Sequence, residues 1–339
     1  VETTTGPLGQ GLANAVGMAL AERKLAAEFN RDNFQIIDHY TYVFLGDGCL
    51  MEGVSHEACS FAGAQRLGKL IAFWDDNGIS IDGKVNDWCI DNVPERFRAY
   101  QWHVIADVDG HDVEAVRAAI KAAQDEKERP TMICCRTQIG YGSPNLSGTA
   151  KVHGAPMGKD EVALTRARLN WPYPPFEIPA EIRQAWDARL QGTQRVNHWQ
   201  SLWQAYQQAH PELAAEFTRR KKDALPDNWA LQQQEWINSL QQNTTPIATR
   251  LASQHALTHY ATHLPELIGG SADLTESNLT HWKGAQMLSH LTPAGQYIFY
   301  GVREFAMTAI MNGMALYGGL IPFGGTFLVF TDYARNALR

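Results

Sequence analysis

Two short β-rich runs, Tyr40-Thr41-Tyr42-Val43-Phe44-Leu45 and Leu70-Ile71-Ala72-Phe73-Trp74, restrict what this chain can fold into more than any other feature. The first runs into Gly46-Asp47-Gly48 and the second is followed by Asn77-Gly78. A helical stretch from about Met51 to Arg66 separates them, so the unit reads as strand, helix, parallel strand. Such a crossover is right-handed, so the strands can lie side by side with Asp47 and Asn77 at the carboxyl edge of the sheet, where ligands of open α/β sheets bind. The Asp47 carboxylate, the Asn77 amide oxygen and a main-chain carbonyl just beyond it are hard oxygen donors, the set Mg²⁺ or Ca²⁺ prefers, with phosphate oxygens completing the shell. Gly48 lets backbone approach phosphate, and a helix beginning near Glu52 turns its first amides toward an anion. Alone, each polar segment is an ordinary tight turn. Two strand-end turns that each carry an oxygen ligand and share one crossover point to a cation holding a diphosphate.

The rest of the chain extends the pattern. From Pro7 to Phe29 small and apolar residues recur at helical spacing, led in by Gly6-Pro7-Leu8-Gly9-Gln10-Gly11. Apolar runs at Trp102 to Ile105 and Thr131 to Cys135 flank a helix from about Asp112 to Glu128. This alternation implies a parallel sheet covered by helices on both faces. Trp171-Pro172-Tyr173-Pro174-Pro175 breaks it, and from Pro179 to about Leu240 the sequence is helical and rich in Gln and Ala. A second αβ pattern follows: a helix from Thr245-Pro246 to about Thr262, a strand at Glu266 to Gly270, Tyr297 to Tyr300, a helix at Glu304 to Leu316 and a strand near Gly319 to Pro322. The expected division is residues 1–178, a helical connector over 179–244, and 245–339.

The 339 residues suit two domains, and 45% hydrophobic with 19% charged suits a globular protein. The net charge of −7 excludes a basic nucleic-acid surface. The one basic cluster, Arg219-Arg220-Lys221-Lys222, reads as a solvated helix end. Five cysteines, with Cys134-Cys135 adjacent in a strand-like run, make a poor disulfide framework and suggest a reducing, cytoplasmic compartment. No membrane span and no signal segment are visible. The chain starts at Val1 and stops inside a helix-like run, Thr331 to Arg339, so the expectation is that the native termini lie beyond it.

Gly46-Asp47-Gly48 with Asn77, the Gly6 to Gly11 segment, the loop His153-Gly154-Ala155-Pro156, Gly269-Gly270-Ser271-Ala272-Asp273-Leu274 and Tyr300-Gly301-Val302-Arg303-Glu304-Phe305 together resemble transketolase, of the bacterial type, over essentially the whole chain and in the right order. The resemblance implies an α/β thiamine-diphosphate-binding fold with two αβ domains, diphosphate-binding and pyrimidine-binding, both incomplete and joined by the helical connector. It implies a central fragment of an enzyme of the pentose phosphate pathway that moves a two-carbon ketol unit from a ketose phosphate to an aldose phosphate. Breaking a carbon–carbon bond beside a carbonyl leaves an acyl-anion equivalent that no side chain stabilises, so thiamine diphosphate acts as electron sink.

By the same resemblance Asp47 and Asn77 are metal ligands through side chains and Ile79 through its carbonyl, for Mg²⁺ or alternatively Ca²⁺ or Mn²⁺, with Gly48 against the diphosphate. Gly6, Pro7 and Leu8 line the aminopyrimidine and thiazolium side, and Ile81 supports the bent cofactor. Glu304 hydrogen-bonds the aminopyrimidine ring nitrogen, Phe327, Phe330 and Tyr333 surround that ring, and Asp273 lies near the cofactor. His153 faces substrate and exchanges protons with it, and Arg250 and Ser277 bind the sugar phosphate. The implied assembly is a homodimer in which Glu304 of one subunit serves the metal site of the other. Dihydroxyacetone synthase, deoxyxylulose phosphate synthase, the decarboxylating component of a ketoacid dehydrogenase and a non-catalytic truncated product stay open as alternatives. Outside the resemblance, His255, His259 and His263 form an i, i+4, i+8 ladder that could hold a transition metal, though no carboxylate or Cys completes a ligand set and the reading favoured is structural.

Overall fold

In the computed structural model, which describes residues 2–243 and 245–339, the first half is built on one parallel sheet. In chain order it holds α1 (Gln10–Phe29), β1 (Thr41–Gly46), α2 (Asp47–Met51), α3 (Gly53–Ala64), β2 (Leu70–Asp76), the short pair β3 (Ile79–Ser80) and β4 (Gly83–Lys84), α4 (Val93–Ala99), β5 (His103–Asp109), α5 (Val113–Asp125), β6 (Thr131–Arg136) and α6 (Lys159–Arg168). The sheet order is β1-β2-β6-β5, with Leu45 opposite Trp74 and Gly46 opposite Asp75. Side chains alternate between its faces. Leu70, Ala72, Trp74, Met132 and Cys134 pack toward α1 and α3, while Ile71, Phe73, Ile133 and Cys135 pack under Ala119 and Ala123 of α5. Both faces of β2 and β6 are thus covered, as their apolar runs predict, whereas on the edge strand β1 Tyr42 and Phe44 are 42% and 77% exposed. All five cysteines are free thiols.

The helix expected over Met51 to Arg66 is α3, and the short α2 precedes it. Glu52 between them is extended (φ −64°, ψ 132°), and the break turns the start of α3 toward the Gly9 turn. Gly9 has φ 80°, and a Cβ there would lie 2.7 Å from Val54 Cγ1 and 2.9 Å from Glu52 Cβ. Only glycine combines that conformation with that proximity. Asp47 therefore opens a short helix rather than sitting in a turn.

The stretch expected to be a connector holds α7 (Ala180–Trp186), α8 (Arg189–Ala209), α9 (Pro211–Lys221) and α10 (Trp229–Gln242). On α8, Trp199, Trp203 and Tyr206 stack at 5.6 Å intervals. The Trp199 indole donates to Ile36 O at 3.0 Å and the Tyr206 hydroxyl to Phe29 O at 2.6 Å, closing α8 onto the end of α1. The basic run at the end of α9 is a solvated helix end only at Lys221 and Lys222, which are exposed. Arg220 is 6% exposed and pairs with Glu28 of α1 at 2.9 Å and Glu216 at 2.7 Å. Arg219 grips Glu266 at 2.7 and 2.9 Å, and the Lys221 ammonium donates to Tyr317 O at 2.8 Å. Arg219, first, and Arg220 hold the Glu216 carboxyl down to about 2 against the effect of its burial. Two like charges are drawn inward here because carboxylates from three separate segments converge on Arg219 and Arg220, which sequence order does not reveal.

The second αβ region holds α11 (Thr249–His263), β7 (Leu267–Ser271), α12 (Thr275–Asn278), β8 (Tyr297–Phe299), α13 (Glu304–Tyr317), β9 (Ile321–Gly325) and α14 (Thr331–Leu338), with a parallel sheet ordered β8-β7-β9. The helix expected from Pro246 starts at Thr249, because Ala248 is extended (φ −63°, ψ 143°) and the exposed stretch before it has no face to bury. The two regions meet where α1 crosses α13. A Cβ on Gly17 would lie 2.1 Å from Ile310 O, and one on Gly313 2.0 Å from Asn14 O. With its nitrogen turned to the carbonyls, the buried Asn14 amide donates to Ala309 O at 2.8 Å and Gln10 O at 3.2 Å. Small residues let the helix backbones touch, and one buried amide crosses the contact.

Candidate cofactor and metal site

The carboxyl edge of β1 and β2 gathers the first group of expected residues. Asp47 follows β1 directly and is 9% exposed. Its Oδ1 accepts from the Trp74 indole at 3.0 Å, while its Oδ2 is buried without a hydrogen-bond partner. Burial pushes the Asp47 carboxyl up to about 6, with the Asp76 and Asp75 charges adding to the rise and the Trp74 N–H and Gly78 amide opposing it. Asn77 lies beyond β2, its Oδ1 accepting from the Ile79 amide at 2.9 Å and its Nδ2 donating to Asp75 Oδ2 at 3.1 Å. Thr137, after β6, donates to the other oxygen of Asp75, so the Asn77 turn is tied to the third strand. Leu8 packs over Gly48, where a Cβ would lie 2.9 Å from Leu8 Cδ1. Ile81 stands at the tip of the β3–β4 pair, 72% exposed.

An unpartnered buried carboxylate oxygen beside two further carboxylates leaves negative charge uncompensated, which is costly without a cation. The donors at hand are oxygens from a carboxylate, an amide and a main-chain carbonyl, so the residues present fit a hard divalent ion. Among the described residues no group of three His, Cys, Asp or Glu side chains could hold a metal. That includes the histidine ladder: His259 stacks on Trp236 with ring centres 4.3 Å apart and lies 3.1 Å from the Gln233 amide, which makes it a packing residue.

The metal-free state carries a signature of this arrangement. The folded-state Asp47 value lies above that of the unfolded chain, so the fold binds the proton more tightly and loses stability as pH rises from about 4 to about 6. Asp47→Asn removes that loss and keeps an acceptor for Trp74. Above pH 6 the metal-free variant is expected to be more stable than the parent by about 1–2 kcal/mol, the full shift being discounted for solvent screening. Urea denaturation at pH 4.5 and 7.5 measures it, and equal pH slopes in the two chains would sink the expectation.

Glu304 is the first residue of α13, also 9% exposed, and its carboxylate makes no hydrogen bond or ion pair among the described residues. Glu57 of α3 lies alongside, its Oε2 accepting from the Ala306 amide at 2.9 Å. Burial, with the Glu304 charge adding to it, raises the Glu57 carboxyl. No hydrogen bond or ion pair joins Glu304 to Asp47 within the described chain. Phe327, Phe330 and Tyr333 form a run of rings with centres 5.7 and 6.1 Å apart, Phe327 42% and Tyr333 66% exposed. Arg250 reaches the Ser277 carbonyl at 3.4 Å, and Asp273 follows β7 with φ 62°. His153 is exposed at the end of a 3₁₀ turn, Ala150–Val152, and Gly6 and Pro7 are exposed ahead of α1.

Sequence reasoning missed Trp74, Asp75, Thr137 and Glu57. Trp74 had a usable signal, an indole N–H near the end of a strand whose neighbour ends in an aspartate. Glu57 had another, a lone carboxylate among Val54, Ala58 and Phe61 of an apolar helix.

Residues 1–226 match the family model described as transketolase, thiamine diphosphate binding domain, and residues 245–339 the model described as transketolase, pyrimidine binding domain. The chain is 59% identical over 339 residues to Transketolase 2 of Escherichia coli, covering 100% of itself and 51% of that protein. It is 58% identical to Transketolase 1 of Vibrio cholerae, with the same coverage. A crystal structure of transketolase from Pichia stipitis in complex with sedoheptulose 7-phosphate superposes with a TM-score of 0.91 at 43% identity, covering 100% of this chain and 51% of that one. The transketolase from Leishmania mexicana superposes with 0.92 at 41% identity, covering 100% and 50%. The chain spans about half the length of these relatives.

Proposed function

The chain belongs to the transketolase family, and we propose that it carries one half of a transketolase site whose other half comes from a second copy. The observation that carries this reading is the buried, unpartnered Asp47 oxygen at the carboxyl edge of β1. In the proposal Asp47, Asn77 and the Ile79 carbonyl hold a divalent cation, Mg²⁺ first and Ca²⁺ or Mn²⁺ as the other hard candidates. Gly48 gives a diphosphate close access to backbone. Gly6, Pro7, Leu8 and Ile81 flank the thiazolium side, and Phe327, Phe330 and Tyr333 the aminopyrimidine, with Asp273 near by. The bound cofactor supplies the electron sink for carbon–carbon cleavage.

Glu304 holds a proton against the aminopyrimidine ring nitrogen. His153 exchanges protons with hydroxyls of the sugar, while Arg250 and Ser277 take the phosphate of a sugar phosphate. The proposed assembly is a homodimer in which Glu304 of the partner subunit completes the Asp47 site. We assign residues 1–178 to the diphosphate domain, 179–244 to the connector and 245–339 to the pyrimidine domain. Five free thiols suit a reducing cytoplasm, and no helix among the described residues is long and apolar enough to cross a membrane.

Calorimetric titration of thiamine diphosphate with Mg²⁺ tests the reading. The parent chain is expected to bind in a metal-dependent manner, with Asp47→Ala weakening binding at least about 100-fold. Because the metal needs ionised Asp47, affinity should fall about tenfold per pH unit below 6. Binding unchanged in Asp47→Ala removes the metal site, and no binding by the parent favours a non-catalytic module.

A further inference from the structure

The loop that carries His153 is held at its root by a residue to which the proposed function gives no role. His111 lies in the turn between β5 and α5, which Gly110 brings against the end of β6: a Cβ on Gly110 would lie 2.5 Å from Thr137 Cγ2 and 3.0 Å from Arg136 O. The Gly110 amide donates to Arg136 O at 2.9 Å, and Asp109 Oδ1 accepts from the His111 amide at 2.9 Å. So placed, the imidazole stacks on Tyr141 with ring centres 4.0 Å and planes 19° apart. Its Nε2 accepts from the main-chain N–H of Gln138 at 3.0 Å, which puts the ring proton on Nδ1.

The loop closes on itself beyond that anchor. The Gly148 amide donates to Ile139 O at 2.8 Å, and a Cβ on Gly140 would lie 2.9 Å from Val152 Cγ2, the residue before His153. A second anchor is Glu161 of α6, which accepts from the Asn145 amide and side chain, both at 2.9 Å. Between these anchors the loop has little apolar core: Tyr141 is 54% exposed, and most of residues 137–153 are exposed or half-buried. Its path is therefore set by the hydrogen bonds and the stack at its two ends.

We propose that His111 is a positioning residue for ketol transfer: through Gln138 and Tyr141 it fixes the path of the loop and thereby where His153 meets the sugar hydroxyls. The inference rests on the substrate-facing role proposed for His153. It concerns a contact to Gln138, next to Thr137, whose bond to Asp75 also ties down the Asn77 turn, so cofactor affinity is read beside turnover.

Two variants separate the parts of the contact. His111→Phe keeps a stacking ring and removes the acceptor, and His111→Gln returns an acceptor oxygen near the Nε2 position without the ring. By amide hydrogen exchange on this chain, the Gln138 to Gly148 segment is expected to exchange about five- to tenfold faster in His111→Phe, as loss of one net hydrogen bond implies, and to recover in part in His111→Gln.

In a chain completed to the length of its relatives, His111→Phe should lower kcat/KM about tenfold with thiamine diphosphate affinity held within about twofold. Added to His153→Ala it should cost nothing further, because both act through one group. Unchanged exchange overturns the contact. Faster exchange with unchanged kcat/KM, or additive losses in the double variant, overturns the positioning role. A parent enzyme without ketol transfer takes this inference down with the proposed function, while the exchange experiment still decides the loop contact.

Discussion

Glu304→Gln is expected to leave thiamine diphosphate affinity within a few-fold of the parent and to lower ketol transfer by about 10²–10⁴-fold, the range for removing a positioned acid–base group. The reason lies in how little the fold asks of this carboxylate. It is nearly buried at the first turn of α13, yet no donor of the described chain reaches it, and its neighbour Glu57 is a second carboxyl whose charge burial disfavours. A carboxyl the fold does not consume can give and take a proton at a ring nitrogen. Glutamine matches its shape and hydrogen-bonding reach but cannot exchange that proton. Steady-state kcat for a completed chain, beside a fluorescence titration of the cofactor, separates the two effects. Parental turnover in Glu304→Gln would refute the proton-holding role, and a collapse of cofactor binding would recast Glu304 as an anchor.

A large stability loss is expected at Gly313→Ala, about 3 kcal/mol, since overpacking a tight contact costs about 1–3 kcal/mol and here no flexible side chain can yield. The added Cβ would stand 2.0 Å from Asn14 O and 2.8 Å from Asn14 Cα, both backbone atoms, so α1 and α13 must separate. Separation also strains the Asn14 amide bond to Ala309 and shifts α13, which carries Glu304. Gly192→Ala in α8 is the control. Nothing lies within 4 Å of a Cβ there, and the helix should gain up to about 1 kcal/mol. Urea midpoints for both variants measure the contrast, and a mild effect at Gly313 would mean that the helices do not cross as closely as the structure has them.

What could be read in the sequence followed the local code. The runs Thr131 to Cys135 and Leu70 to Trp74 could be recognised as doubly buried strands because, Thr131 apart, each is apolar at every position, and Asp47 and Asn77 could be placed at one edge because parallel strands point the same way. The short α2 and the extended Glu52 that parts it from α3 were hidden, since Glu52 packs against Gly9, more than forty positions away. Arg219 and Arg220 looked as solvated as Lys221 and Lys222 for the same reason: their partners Glu266 and Glu28 lie far off along the chain. The aromatic run of Phe327, Phe330 and Tyr333 had the spacing of an ordinary core stripe, and its marked exposure is visible only once the strands and helices are packed.

The sequence by itself determined the α/β alternation, the order of the elements and the donor types at the carboxyl edge, because strand and helix periodicity and the hardness of oxygen ligands are properties of neighbouring residues. Tertiary structure alone decided that one Asp47 oxygen accepts a hydrogen bond from the Trp74 indole while the other is buried without a partner, and that Glu304 is nearly buried at the start of α13. Burial and partner count are sums over every segment that packs around an atom. No window of sequence contains that sum.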